Sequence, residues 1–186
     1  ACLPAGDGAG AGRARGTARF HVPDARLCTL PGHLGSRLRL HPTVDHAGAA
    51  AIVAFDDEGR VLLIQQYRHP IREREWEIPA GLLDVVGEDP ADTARRELAE
   101  ETDLAASEWE HLLSIHTSPG GSDEIVHIYL ARGPTAAPVA HAREAEEADI
   151  RIEWVPLADA VAAVMAGRMR NGILVAGLLA AAERLR

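Results

Sequence analysis

An α/β domain is the fold class the sequence predicts, and three features predict it. Apolar, strand-length runs occur at Ala49–Phe55 and Arg60–Tyr67. A segment with helical period lies at Asp92–Leu104, and further strand-like and helical stretches alternate from residue 108 to the end. The chain has 186 residues, 47% apolar and 25% charged, enough to bury a core of its own. Only 4% of residues are aromatic, so that core is built mostly from Ala, Val, Leu and Ile.

Composition narrows the chemistry before any motif is read. There is no lysine; all 19 basic residues are arginine. That removes a Schiff-base lysine, a lysine general base and a phosphate-loop lysine. A net charge of −9 argues against nucleic-acid affinity, which needs a basic surface to release counterions. The charge is unevenly spread: residues 1–45 hold 6 Arg and 3 acids, residues 46–186 hold 13 Arg and 25 acids. Cys2 and Cys28 are too few for a disulfide framework or a zinc knuckle, which fits a cytoplasmic protein. The opening residues show no basic stretch followed by an apolar one, so no secretory signal is expected. The most apolar late stretch, Ala160 to Ala182, is interrupted by Arg168, Arg170 and Asn171 and is not expected to span a bilayer.

In chain order, residues 1–19 are a low-complexity Gly/Ala/Arg tail expected to be flexible. Residues 20–45 are broken by Pro23, Pro31, Gly32 and Pro42, with Arg37–Leu40 as one alternating fragment, and their fold is left open. Residues 46–186 form the main domain. Ala49–Phe55 and Arg60–Tyr67 flank Asp56-Asp57-Glu58-Gly59 and read as a hairpin. After a charged loop, Trp76-Glu77-Ile78 is a short strand and Pro79-Ala80-Gly81 a turn. The Asp92–Leu104 helix follows, with Pro90 and acids at its start, as the helix dipole prefers. Glu108–His116 and Ile125–Ala131 are strands joined by a turn-rich stretch at Ser118–Asp123. Gly133–Asp149 lacks any period and reads as a long loop, which in a compact domain is functional or disordered. Ile150–Val155 is a strand, Leu157–Ala166 a helix, and Asn171–Leu185 a last apolar helix with Asn171 as its cap.

The chemistry concentrates between Glu77 and Asp103, where nine carboxylates face Arg95 and Arg96 alone. Within the helix, Glu97, Glu100 and Glu101 stand at i, i+3 and i+4 and share one face. Like charges at that spacing repel, so the face is either solvated or collects a cation. Oxygen-only ligands point to Mg2+ or Mn2+. His111, His116 and His127 lie on the predicted strands at a spacing that makes no recognisable metal triad, and they read as exposed or hydrogen-bonded side chains.

The helix sits in a longer pattern: Gly81, six residues, Glu88, seven residues, then Arg96-Glu97-Leu98-Ala99-Glu100-Glu101-Thr102-Asp103-Leu104. This resembles the box of the Nudix hydrolases. There, five residues separate the glycine and the first glutamate, and a glycine follows the helix. The extra residue is expected around Val86-Gly87, and Asp103 takes the place of that glycine. Gln66-Tyr67-Arg68-His69-Pro70, Trp76-Glu77-Ile78-Pro79-Ala80-Gly81 and Ser118-Pro119-Gly120-Gly121-Ser122-Asp123-Glu124 are similar to the ADP-ribose pyrophosphatase branch.

The resemblance implies an α/β/α sandwich with a mixed sheet and a loop-helix-loop catalytic motif. It implies Mg2+, or Mn2+, held by Glu97, Glu101, Glu100 and the Ala80 carbonyl, with Glu88 and Arg96 orienting the site. Arg68 would contact the diphosphate and Glu77 the substrate, while Ser118, Gly120 and Glu124 would line the terminal ribose. The base would be Glu146 or Glu147, in the acid run of the long loop, and the two are not separated. A homodimer is implied, with N-terminal strands crossing to the partner and neither nucleic acid nor membrane as partner. The activity implied is hydrolysis of ADP-ribose to AMP and ribose 5-phosphate. Another nucleoside diphosphate sugar or a dinucleotide is the enzymatic alternative, and a catalytically silent nucleotide-sensing domain the non-enzymatic one.

Overall fold

The computed structural model describes residues 25–29, 40–138 and 150–186. The chain divides into two compact units, residues 1–46 with 118–124, and residues 47–117 with 125–186. In the smaller unit β1 (Ala25–Thr29) pairs antiparallel with β2 (Leu40–Val44). Val44 donates its N–H to the Gly121 carbonyl at 2.8 Å, which ties the 118–124 stretch to β2.

The larger unit contains two sheets. One has the order β6 (Ala80–Leu82), β3 (Ala49–Ala54), β8 (Ile125–Ala136), β7 (Leu104–His116); the other has β5 (Glu73–Glu77), β4 (Arg60–Arg68), β9 (Arg151–Pro156). β3 runs parallel to β8 and antiparallel to β6, so the first sheet is mixed. Every residue of β3 is buried, because helices cover both faces. Ala51 and Val53 face α2 (Leu157–Met165) and α3 (Gly172–Arg184) through Ala160, Leu174, Leu178 and Ala181. Ala50, Ile52 and Ala54 face α1 (Pro90–Thr102) through Ala94 and Leu98. This is the α/β/α sandwich. Leu98, with none of its surface exposed, anchors the catalytic-type helix to the sheet.

The expected hairpin is not formed. The two runs enter different sheets and touch through one bridge, Phe55 with Val61. The reason is edge availability: β6 and β8 take both edges of β3, leaving none for β4. The turn itself is well specified. The Asp56 carboxylate accepts from the Glu58 and Arg60 backbone N–H groups at 3.0 and 2.8 Å, and Gly59 adopts φ 74°. β4 pairs instead with β5, across a turn in which Arg72 is left-handed at φ 56°.

Three other expectations shift. Pro79-Ala80-Gly81 is not a turn: Ala80 and Gly81 lie in β6, opposite Ala51 and Ala50. The long loop starts later than read, since β8 continues through Gly133 to Ala136. Pro134 is tolerated there because pairing of β8 with β3 stops at Ala131, so that edge of β8 carries no ladder at Pro134. Helix α1 begins at Pro90 and not at Asp92; the Asp89 carboxylate caps it by accepting from the Ala91 N–H at 2.8 Å. The last helix is capped as expected, with Asn171 accepting from the N–H groups of Ile173 and Leu174 at 3.0 Å.

Candidate functional site

The site is built on the face of α1 that meets β6. Upstream, the loop from β6 turns at Val86-Gly87: Gly87 has φ 84°, Val86 is fully exposed, and Glu88 donates its N–H to the Val85 carbonyl at 3.1 Å. A left-handed glycine thus stands where the additional loop residue is expected. Downstream, Asp103 takes the left-handed cap conformation at φ 57° and donates its N–H to the Ala99 carbonyl. A glycine would hold that geometry at lower cost, but the helix end is the same.

Arg96 is the hub. Its guanidinium meets Glu88 at 3.2 Å, Glu97 at 2.6 Å, Glu100 at 3.0 Å and Asp84 at 3.8 Å. Burial works to lower its pKa, but the hydrogen bond to Glu88 and the charge of Glu97 lead a set of interactions that raise it on balance, so the positive charge is fixed. Glu88 is held in turn by the Thr93 hydroxyl, which donates at 2.7 Å from a fully buried position. The Arg96 and Thr93 hydrogen bonds keep the Glu88 carboxyl below its ordinary value. Glu88 and Arg96 are thus held against each other, with Asp84 and Thr93 beside them. Thr93 follows Glu88 by five residues and carries no sequence signal beyond that.

Glu97 lies against the backbone of β6. A Cβ built on Gly81 would fall 1.9 to 2.4 Å from the three atoms of the Glu97 carboxylate, so the approach requires glycine there. Burial pushes the Glu97 carboxyl up from its ordinary value; Glu100 and Asp84 push the same way, and Arg96 pulls against them. Glu101 is 5% exposed, and its carboxylate accepts from the Ala80 N–H at 3.0 Å. Glu97, Glu100, Glu101 and Ala80 are thus brought to one place.

The donor set fits a hard divalent cation. It is oxygen-only, it carries excess negative charge, and it includes a desolvated carboxylate whose charge a cation would favour. Among the described residues no three acidic, His or Cys side chains stand grouped as a ready cation cage. Arg96 holds Glu97 and Glu100 at the same guanidinium nitrogen, while Glu101 is held by the Ala80 N–H.

Arg68 and Glu77 form a separate unit on the second sheet. The guanidinium grips the buried Glu77 carboxylate with both prongs, at 2.7 and 2.5 Å, and Gln66 Nε2 donates to it at 3.3 Å. Arg68 keeps 42% of its side chain exposed, leaving it a solvent-facing side. Gln66 shares a strand face with Arg68, two residues away, and that alternation is the signal by which it could have been found. Trp76, beside them, packs in the core margin with the Arg151 guanidinium over its ring at 5.7 Å.

Ser118, Gly120 and Glu124 belong to the smaller unit. There Glu124 lies 3.4 Å from His46, and Asp123 accepts from the His46 N–H at 2.8 Å. Glu146 and Glu147 lie outside the described residues.

A layered α/β/α domain whose glutamate-rich helix is docked on a glycine of the adjoining strand has the architecture of a metal-assisted phosphoester hydrolase. The family model of the NUDIX domain matches residues 45–174, and the chain belongs to the Nudix hydrolase family. It is 48% identical over 148 residues to an ADP-ribose pyrophosphatase of Mycobacterium tuberculosis, covering 78% of this chain and 70% of that protein. It is also 39% identical over 166 residues to a CMP-5'-(N-acetyl-N-hydroxy-3-aminopropyl)phosphonate hydrolase of Streptomyces rubellomurinus, covering 86% and 77%. A solved structure of an ADP compounds hydrolase superposes with a TM-score of 0.75 at 19% identity, covering 91% of this chain and 89% of that one, a likeness of fold. Among the described residues, no helix is long and apolar enough to cross a membrane.

Proposed function

We propose that this chain hydrolyses the diphosphate of ADP-ribose, in the presence of Mg2+, to AMP and ribose 5-phosphate. The observation that carries the reading is the Glu97 carboxylate seated on Gly81, with Glu100 and Glu101 beside it on the same helix. The ADP-ribose pyrophosphatase relative supports the substrate.

Glu97, Glu100, Glu101 and the Ala80 carbonyl would hold Mg2+, or Mn2+. Such an ion neutralises phosphate oxygens and lowers the pKa of a bound water. The chain's own residues supply the rest. Glu88 and Arg96 fix the rotamers of the acidic face, and Glu97 and Glu100 would have to leave Arg96 to hold a cation. Arg68, anchored by Glu77, presents its exposed side to the diphosphate oxygens. Glu146 or Glu147 accepts the proton of the attacking water; the new phosphorus–oxygen bond forms as the bridging one breaks, and the bridging oxygen leaves on the second phosphate. The active form is a homodimer in the cytoplasm, the compartment that fits a chain of two cysteines.

The test is AMP release from ADP-ribose with Mg2+, run beside UDP-glucose, GDP-mannose and NADH. Glu101→Gln should abolish turnover. Glu146→Gln or Glu147→Gln should lower it by roughly 100-fold while metal binding survives. Inert ADP-ribose would overturn the substrate assignment. The CMP-phosphonate hydrolase relative favours a second reading, another nucleotide anhydride, which a CMP-linked substrate added to the panel would reveal.

A further inference from the structure

On the α1-facing side of the first sheet, two strands across from Gly81 by way of Ala50, β7 and β8 bring two histidines to one point. Ser114 Oγ lies 2.9 Å from His111 Nε2 and 2.8 Å from His127 Nδ1. The two imidazole rings are 6.3 Å apart between centroids, and the His111 ring stands edge-on to Tyr129 at 5.5 Å. Sequence spacing hides this arrangement. Residues 111 and 114 would point to opposite faces of a regular strand, but a β-bulge lies between His111 and Leu113. The register then puts His111 opposite Tyr129 and Ser114 opposite His127, all on one face.

We infer that His111 and His127 form a binding site for a first-row transition-metal ion of the Zn2+ or Cu2+ class, with imidazole donors where the neighbouring site of α1 has carboxylates. Both nitrogens lie within hydrogen-bond reach of a single oxygen. Two imidazole ligands at about 2.0–2.1 Å from a metal stand roughly 3–4 Å apart, a separation small side-chain rotations of these rings can reach. Imidazole selects Zn2+, Cu2+ and Ni2+ over Mg2+, so the two sites sort ions by ligand chemistry. Ser114 has one hydroxyl proton and can donate to only one of the two nitrogens, so the other ring must carry its proton on the nitrogen that faces the serine. Metal binding removes that constraint, and water completes the coordination. Both rings are already held, His111 by Tyr129 and Ser114 and His127 by Ser114, which lowers the ordering cost of binding.

Zn2+ titrated calorimetrically into the full chain with saturating Mg2+ tests this. Affinity for one equivalent should fall by at least about 10-fold in His111→Ala and equally in His127→Ala. Ser114→Ala, which removes no nitrogen, should bind at least as tightly as wild type. The Cu2+ paramagnetic resonance spectrum should show two nitrogen donors, and each histidine variant should lose one. Wild-type affinity in either histidine variant overturns the site. So does an equal loss in Ser114→Ala, which would mean that the strands' shape, and not their ligands, holds the ion.

Discussion

Gly81 decides how close α1 comes to β6. The clash that Gly81→Ala would create is with the far end of the flexible Glu97 side chain. The glutamate can swing away at small cost to stability, but its carboxylate then leaves the site. Gly81→Ala should therefore keep nearly wild-type thermal stability and lose about 100-fold or more in turnover, since a metal ion contributes several kcal/mol of transition-state stabilisation. Melting temperature and steady-state rates measured together distinguish this from misfolding. Glu97 itself carries the opposite balance. Its carboxyl is raised above the ordinary 4.5, so it favours folding most below about pH 4.5 and opposes it increasingly as pH rises through its folded value. Glu97→Gln should raise the melting temperature at pH 7 in chelator while removing Mg2+-dependent activity. Glu88 has the reverse sign, with a lowered carboxyl whose stabilisation is complete above about pH 4.5 and fades as pH falls through its folded value. Glu88→Gln should thus destabilise at pH 7, and the loss should shrink as the pH is lowered through the acid range, as read by denaturant titration at several pH values.

At the scale of elements, α1 was legible because three signals agree: Pro90 at its start, Asp92 in the first turn, and Ala94 and Leu98 at core spacing. The Asp89 cap went unread because the first apolar residue, not the first polar one, marks a helix by period. β6 was illegible for a physical reason. Its three residues, Ala80-Gly81-Leu82, include a glycine chosen for what it lets Glu97 do, and strand propensity has nothing to report there. The β7 bulge was equally hidden, because one extra residue flips the faces without altering composition. Helix α3 offers a test of packing: a Cβ on Gly177 would come within 2.9 Å of Val53 and 3.1 Å of Ile78. Both neighbours are fully or nearly fully buried, so Gly177→Ala should cost about 1–3 kcal/mol by overpacking, seen as a lower denaturant midpoint.

For the molecule as a whole, local pattern located strands and helices well and their partners poorly. The split of β3 and β4 between two sheets is set by which edges are free, a property of the assembled fold that no window of sequence contains. The acidic helix face was readable from i, i+3 and i+4 spacing, whereas its docking on β6, and the Arg96 grip on two of its members, needed coordinates.

The central pairing of β3 with β8 joins Ala49 to Val126. During synthesis, at about 5–20 residues per second, β3 emerges and then waits several seconds before its parallel neighbour leaves the ribosome. For that interval a wholly apolar strand has β6 on one edge at most and bare hydrogen-bonding groups on the other. The strand at the heart of the finished sandwich is thus the nascent chain's greatest exposure to wrong partners, and the place where a chaperone's protection would count most.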